Sequence, residues 1–169
     1  MIDIFTDGST TNNCRLSKKA KGGIGIYFGI KNKMNISEPF YIFPITNQRC
    51  EFYACIRAIQ SFISNKKNNK KEKIRIITDS KHVIDTMTNW VHKWKLRGWK
   101  KADGKEPMNM DLVYWLDALI IQYKNILEIT YKHVKAHKNE PVKGTEKHYF
   151  WNGNFMADKL ANRGRQLGC

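Results

Sequence analysis

The sequence predicts an α/β fold: one mixed five-stranded sheet, three antiparallel strands followed by parallel ones, with helices on both faces in the order βββαβααβα. Three observations predict it. Short runs of β-formers fill the first 45 residues, the apolar period changes to a helical one from Thr46, and strands then alternate with helices. The 169 residues suffice for one domain with a real core, and at 41% hydrophobic the chain is globular rather than disordered. No internal repeat or Pro/Gly/Ser linker divides it, so residues 1–169 read as one domain.

IDIFTD (2–7) alternates and is rich in β-formers; GIGIYFGI (23–30) and ISEPFYIFPI (36–45) follow, with turn residues between, as an antiparallel meander. From Thr46, Phe52, Cys55, Ile56, Ile59, Phe62 and Ile63 follow i, i+3, i+4 spacing, which predicts an amphipathic helix N-capped by Thr46 or Asn47. KKNNKKEK (66–73) reads as a solvated turn, and IRIIT (74–78) as a short buried strand parallel to the first. A second helix starts at Ser80, and Gly98 ends the stretch that follows it. Another amphipathic helix is expected at about 110–124, and ILEITYKH (126–133) is the fifth strand. After a long polar loop, NFMADKLANRGRQL makes the final helix.

Thirty Lys and Arg against fifteen Asp and Glu give a net charge of +15, a field that favours polyanions. An anionic membrane is the weakest such partner, because runs such as LDALIIQY fall far short of a spanning helix. The start, MIDIFTDGS, has an acid at position 3 and no apolar h-region. Cys14, Cys50, Cys55 and Cys169 make no CxxC pair and no metal-ligand spacing, so they read as small apolar residues in a reducing compartment. The expected location is intracellular and cytoplasmic, with nucleus or organelle left open.

Residues 89–101, NWVHKWKLRGWKK, thread Trp90, Trp94 and Trp99 through Lys93, Lys95, Arg97, Lys100 and Lys101. A core segment would exclude the lysines and a solvated face would exclude the tryptophans. A partner outside the protein is expected to satisfy both.

In so basic a chain the acids that interrupt apolar elements are informative. Asp7 ends the first strand, Asp79 ends the fourth, and Glu51 and Asp158 are expected in the first turns of the first long helix and the last one. Singly, each has a plain account: Asp7 and Asp79 cap turns, and Glu51 and Asp158 complement helix dipoles. Adjacent parallel strands would nevertheless bring Asp7 and Asp79 to one end of the sheet. Clustered carboxylates repel and lose hydration unless a cation compensates them. An all-oxygen ligand set suits Mg²⁺ or Mn²⁺, and with a polyanionic partner the natural chemistry is two-metal phosphodiester cleavage.

The motifs FTDGS (5–9), TNQRCE (46–51), ITDSKHVI (77–84), NWVHKWKLRGWKKADGKEP (89–107), YKHVKAH (131–137) and GNFMADKLA (153–161) span essentially the whole chain. On them the chain resembles the type 1 ribonuclease H family, in the cell-type form that carries a basic protrusion (about 89–107). The resemblance implies a ribonuclease H-like fold and hydrolysis of the RNA strand of an RNA/DNA hybrid, leaving a 3′-hydroxyl and a 5′-phosphate. It implies two Mg²⁺ ions, for which Mn²⁺ can substitute. Asp7 would bridge both, Glu51 and Asp79 would complete the leaving-group site, and Asp158 the site that activates water.

The resemblance also assigns the protrusion to the DNA strand, with Trp90, Lys93, Lys95, Arg97 and Lys100 toward nucleic acid and Trp94 and Trp99 structural. Asn47 and Gln48 match a pair of amides that contact the minor groove, where they would read the RNA 2′-hydroxyl. Asn47 also has the plainer role of an N-cap. Asn154 would touch RNA near the scissile phosphate. His133 and His137 have H-x-x-x-H spacing but fall on a strand end and a loop, which argues against zinc. His137 alone matches a mobile histidine that assists product departure or proton transfer, while His82, His92 and His148 read as surface or packing residues.

Three departures stand out. A longer basic connection, TTNNCRLSKKAKGG, follows the first strand and offers Lys18, Lys19 and Lys21 to phosphate or to solvent. Lys81 stands where many members carry Gln, near the metals or the minor groove. Twenty residues separate His137 from Asp158, so KNEPVKGTEKHYFWNG (138–153) is expected as an extended loop. Two rivals remain: a 3′–5′ exonuclease of related fold, whose DxE the first strand lacks, and a non-catalytic hybrid-binding protein. The expected partner is an RNA/DNA hybrid bound by a monomer, with no membrane and no obligate protein partner.

Overall fold

The computed structural model describes residues 1–11, 19–136 and 139–168. Strands β1 (Ile2–Thr11), β2 (Lys21–Tyr27), β3 (Ile36–Phe40), β4 (Glu72–Thr78) and β5 (Leu127–His133) form one sheet in the order β3-β2-β1-β4-β5. β2 pairs antiparallel with β1 and β3, whereas β4 pairs parallel with β1 and β5. This is the mixed sheet predicted. Its two halves follow from their connections, since short links suffice for antiparallel neighbours and parallel ones need helical crossovers.

The period-two alternation of β1 assigns its faces. Ile4 joins the main core, and Thr6 meets Cys55 of α1 (Asn47–Asn65). Phe5 packs with Phe150 and Ala157 of α5 (Glu146–Leu167), and Ser9 donates to Asn162 of the same helix. The first face carries most of the core: Ile24, Ile26, Ile74 and Ile76 meet Phe52, Ile56 and Ile59, with Leu112 and Leu116 of α4 (Met110–Tyr123). On the second face α5 approaches closely because β2 carries glycine; a Cβ on Gly25 would fall 2.1 Å from the Ala157 carbonyl oxygen. Helices therefore cover both faces.

Thr46 caps α1 by accepting from the Arg49 amide, and Ser80 caps α2 (Lys81–Asp85) by accepting from the Val83 amide. A π-helical turn at Thr86–Trp90 joins α2 to α3 (Val91–Leu96), so the expected second helix is one continuous run with a wide turn inside it. Gly98, at φ 63°, ends it as the sequence suggests. β3 stops at Phe40, short of the expected residue 45; Pro44 has no N–H for a ladder.

The largest correction concerns 138–153, which is not an extended loop throughout. α5 begins at Glu146, with the Thr145 hydroxyl accepting from the His148 amide. The aromatic run drives this early start: Phe150 packs against Phe5, and Trp151 stacks on Phe155 at 5.1 Å and 9°. Asp158 consequently lies in mid-helix rather than in a first turn, and Glu51 is the fifth residue of α1. The helix-dipole account of these two acids loses its basis, because that effect fades within the first turn.

Cys50 and Cys55 are free and buried, whereas Cys14, Lys18, His137 and Cys169 lie outside the described residues. Among the described residues no helix is long and apolar enough to cross a membrane.

Candidate active site

β1 and β4 are in parallel register, with Phe5 opposite Ile77, so two residues further on Asp7 and Asp79 stand level at one end of the sheet. β1 runs on to pair with β2, which makes Asp7 an internal residue of its strand; Asp79 follows the last residue of β4. Gly8 admits α1 to this end: a Cβ there would fall 2.6 Å from Cys50 Cβ and 2.7 Å from the Glu51 amide nitrogen. The side chain of Glu51 thereby joins the two aspartates. One carboxylate oxygen from each of Asp7, Glu51 and Asp79 lies within 4.8 Å of the others. Asp158, from α5, is close enough for its charge to act on Asp7.

Asp7 is 5% exposed and Glu51 2%, so little water screens them. Burial first, and the charge of Asp79 second, push the Asp7 carboxyl up to about 8. Glu51 is pushed well above the usual carboxylate range, by burial and then by the charges of Asp7 and Asp79. The Gly8 amide donates to Asp7 Oδ1 at 2.9 Å and orients it. Glu51 Oε2 is buried without a hydrogen-bond partner. His133 Nε2 lies 3.1 Å from the Asp79 carbonyl oxygen, tying the end of β5 to that of β4. Asn154 stands one turn before Asp158 on α5, 7% exposed, with its amide oxygen buried and unpartnered.

Asn47 and Gln48 are exposed at the start of α1, and Gln48 Oε1 accepts from Asn109 Nδ2 at 3.4 Å. Lys81 is exposed at the start of α2. Trp90 is half-buried, 5.5 Å from the His82 ring and 6.2 Å from that of Trp94. His82 is wedged between Trp90 and Phe52, and burial lowers its pKa. A groove of about 560 Å³ runs here, lined by Trp90, Lys93, Trp94, Arg97 and Lys101 among others. Lys93, Arg97 and Lys100 are exposed. Lys95 differs from them: its ammonium pairs with Asp117 of α4 at 2.6 Å and lies 5.8 Å from the Trp99 ring. Trp94 and Trp99 pack against the main core.

Sequence reasoning passed over Arg49, Asp111 and Asn109. Arg49 is 3% exposed and makes a bidentate ion pair with Asp111 at the start of α4. The available signal was its place in TNQRCE, two residues before an acid on a buried helix face, where an arginine needs an anionic partner.

The RNase H family model matches residues 1–166. The ribonuclease H of Stutzerimonas stutzeri is 32% identical over 166 residues, covering 96% of this chain and 90% of that protein. Human ribonuclease H1 is 32% identical over 165 residues, 96% of this chain but 49% of the human protein. Among solved structures, the PFV RNase H domain superposes with a TM-score of 0.71 at 22% identity, covering 98% of this chain and 94% of that one. LC11-RNase H1, solved in complex with an RNA/DNA hybrid, superposes with a TM-score of 0.63 at 19% identity, covering 99% and 98%.

Proposed function

The chain belongs to the RNase H family, and from that premise we propose that it hydrolyses the RNA strand of RNA/DNA hybrids internally, leaving 5′-phosphate and 3′-hydroxyl ends. The convergence of Asp7, Glu51 and Asp79 within 4.8 Å, with the charge of Asp158 beside them, carries the reading. Carboxylates this close and this buried are costly to ionise without a compensating cation. The unpartnered Glu51 Oε2 is a free ligand atom of the kind a cation takes. An all-oxygen set fits Mg²⁺, with Mn²⁺ as a substitute, and offers nothing soft for zinc. Asp7, Glu51 and Asp79 would hold one ion, and Asp7 with Asp158 a second. Bound there, the ions would neutralise charge at the scissile phosphate and lower the pKa of the attacking water.

The chain's own residues supply the orientation. The Gly8 amide fixes the rotamer of Asp7, and Asn154 keeps an unsatisfied amide oxygen for a donor on the RNA strand. Asn47 and Gln48 read the minor groove, and Lys81, exposed at the start of α2, meets that groove or sets a charge near the ions. Trp90, Lys93, Arg97 and Lys100 hold the DNA strand through sugar faces and phosphates. Lys95 is better read as support, since its ammonium is committed to Asp117. His137 acts after hydrolysis, by the family resemblance alone. The free, buried Cys50 and Cys55 favour a reducing, intracellular compartment, the cytoplasm first with nucleus or organelle left open, and the chain is read as a monomer.

The test is an end-labelled hybrid incubated with the purified chain and Mg²⁺, beside RNA duplex and single strands. Internal cleavage of hybrid RNA alone is expected. Robust cleavage in excess chelator would overturn the mechanism.

A further inference from the structure

We propose that Arg49 and Asp111 are positioning residues, whose ion pair holds the starts of α1 and α4 in register so that Gln48 presents its amide hydrogens to the hybrid. The inference rests on the hybrid hydrolysis proposed above and adds a specificity-setting tether outside the carboxylates.

Arg49 Nη1 donates to Asp111 Oδ1 at 2.7 Å and Nη2 to Oδ2 at 2.5 Å, across 62 residues of sequence. The geometry is lopsided: the arginine side chain is 4% exposed and the aspartate side chain 54%. Stability is a poor reason for such a pair. A buried guanidinium loses much of its hydration, an apolar residue of similar volume would pack at lower cost, and Nε is left buried without a partner. The planar fork does supply orientation, because two parallel hydrogen bonds allow one relative placement of the two helix ends.

What that placement controls is next door. Two residues before Asp111, Asn109 is 7% exposed and sits at φ 61°, ψ 27°, a left-handed conformation that asparagine tolerates better than other non-glycine residues. From there its Nδ2 reaches Gln48 Oε1 at 3.4 Å. Gln48 is the residue immediately before Arg49. With its oxygen engaged by Asn109, Gln48 has its NH₂ left to face outward. A ribose 2′-hydroxyl can accept from that group, and a deoxyribose cannot. The tether thus favours one orientation of the Gln48 amide, with its donor side toward the ribose that separates RNA from DNA.

Steady-state cleavage of a hybrid, together with binding of that hybrid and of a DNA duplex of the same sequence in chelator, tests this on the full chain. Asp111→Ala is the first variant, because it changes the exposed partner; Arg49→Met, Arg49→Lys and the Arg49→Met/Asp111→Ala pair follow. Asp111→Ala should raise the hybrid KM about tenfold with kcat within about twofold, and lower the hybrid-over-duplex preference by a similar factor. The double variant should be no worse than the worse single one, and Arg49→Lys should recover part of the loss. The salt slope of binding should not change, since the protrusion is untouched. A lowered Tm with KM and preference at parental values would mean a purely structural pair and overturn the inference. So would a fall in kcat at constant KM. A parent chain that fails to cleave hybrid RNA would sink the functional reading itself, whereas a parent that cleaves beside an Asp111→Ala variant of unchanged KM sinks only the tether.

Discussion

The carboxylate cluster and the cation-rich arm at 89–101 carry opposite charges on opposite kinds of scaffold. Asp7 and Glu51, 5% and 2% exposed, sit at the end of the sheet where water is excluded and every interaction is magnified. Lys93, Arg97 and Lys100 stand on and beyond α3 in open solvent, where each charge is screened within roughly 10 Å. Buried carboxylates repel one another strongly, so they demand a cation at contact distance and act on chemistry. Solvated cations lose little when alone, so they act on encounter and affinity. Lys95 is the instructive exception: it belongs to the arm by sequence and to the body by its bond to Asp117.

The sharpest way to break this contrast lies in the cluster. Asp7→Asn or Asp79→Asn should lower hybrid turnover by about a thousandfold or more while leaving the fold intact, since each removes a charge on which a cation would depend. Near-parental kcat in either variant would end the two-cation reading. In the arm, Lys93→Ala/Arg97→Ala/Lys100→Ala should weaken hybrid binding about ten- to a hundredfold near physiological salt. It should also reduce the salt slope by roughly 0.9 for each phosphate that the arm no longer neutralises, with kcat largely spared. An unchanged slope would make these cations mere solvation.

His137→Ala tests a residue of neither region. Turnover should fall about tenfold with hybrid affinity unchanged, if it acts on proton transfer or product departure. Turnover at the parental rate would leave the carboxylates acting alone. Lys95→Ala should behave unlike its neighbours, costing about 1–2 kcal/mol in thermal unfolding because Asp117 stays buried and unpaired, with the salt slope preserved.

The smallest effect is a pH dependence. Asp7 titrates near 8 when folded, against the ordinary 3.8, so between those values the folded protein keeps a proton that the unfolded chain has released. Stability of the metal-free protein should therefore fall as pH rises from about 4 to about 8. Tm measured in chelator should decline across that window. Asp7→Asn should lessen the decline without abolishing it, because Glu51 is raised by the same burial and remains; an undiminished decline in that variant would count against Asp7 as a source of it.

Much of this was settled locally, and therefore in the sequence. The alternation in IDIFTD, the helical spacing from Phe52 to Ile63, and the helix starts near Thr46 and Ser80 depend on residues a few positions apart. The four acids were legible for a related reason: a carboxylate interrupting an apolar element is conspicuous whatever lies around it. The start of α5 was not, because residues 138–153 look polar until Phe150 finds Phe5 on β1. The π-helical turn at Thr86–Trp90 had no local signature either. Above all, sequence could not say which charges are already engaged. Lys95 and Asp117 are 22 residues apart, and Arg49 and Asp111 62. Composition and spacing determine which charges exist; whether one is paired or left for a ligand depends on which helix ends pack together, and only the tertiary structure decided that.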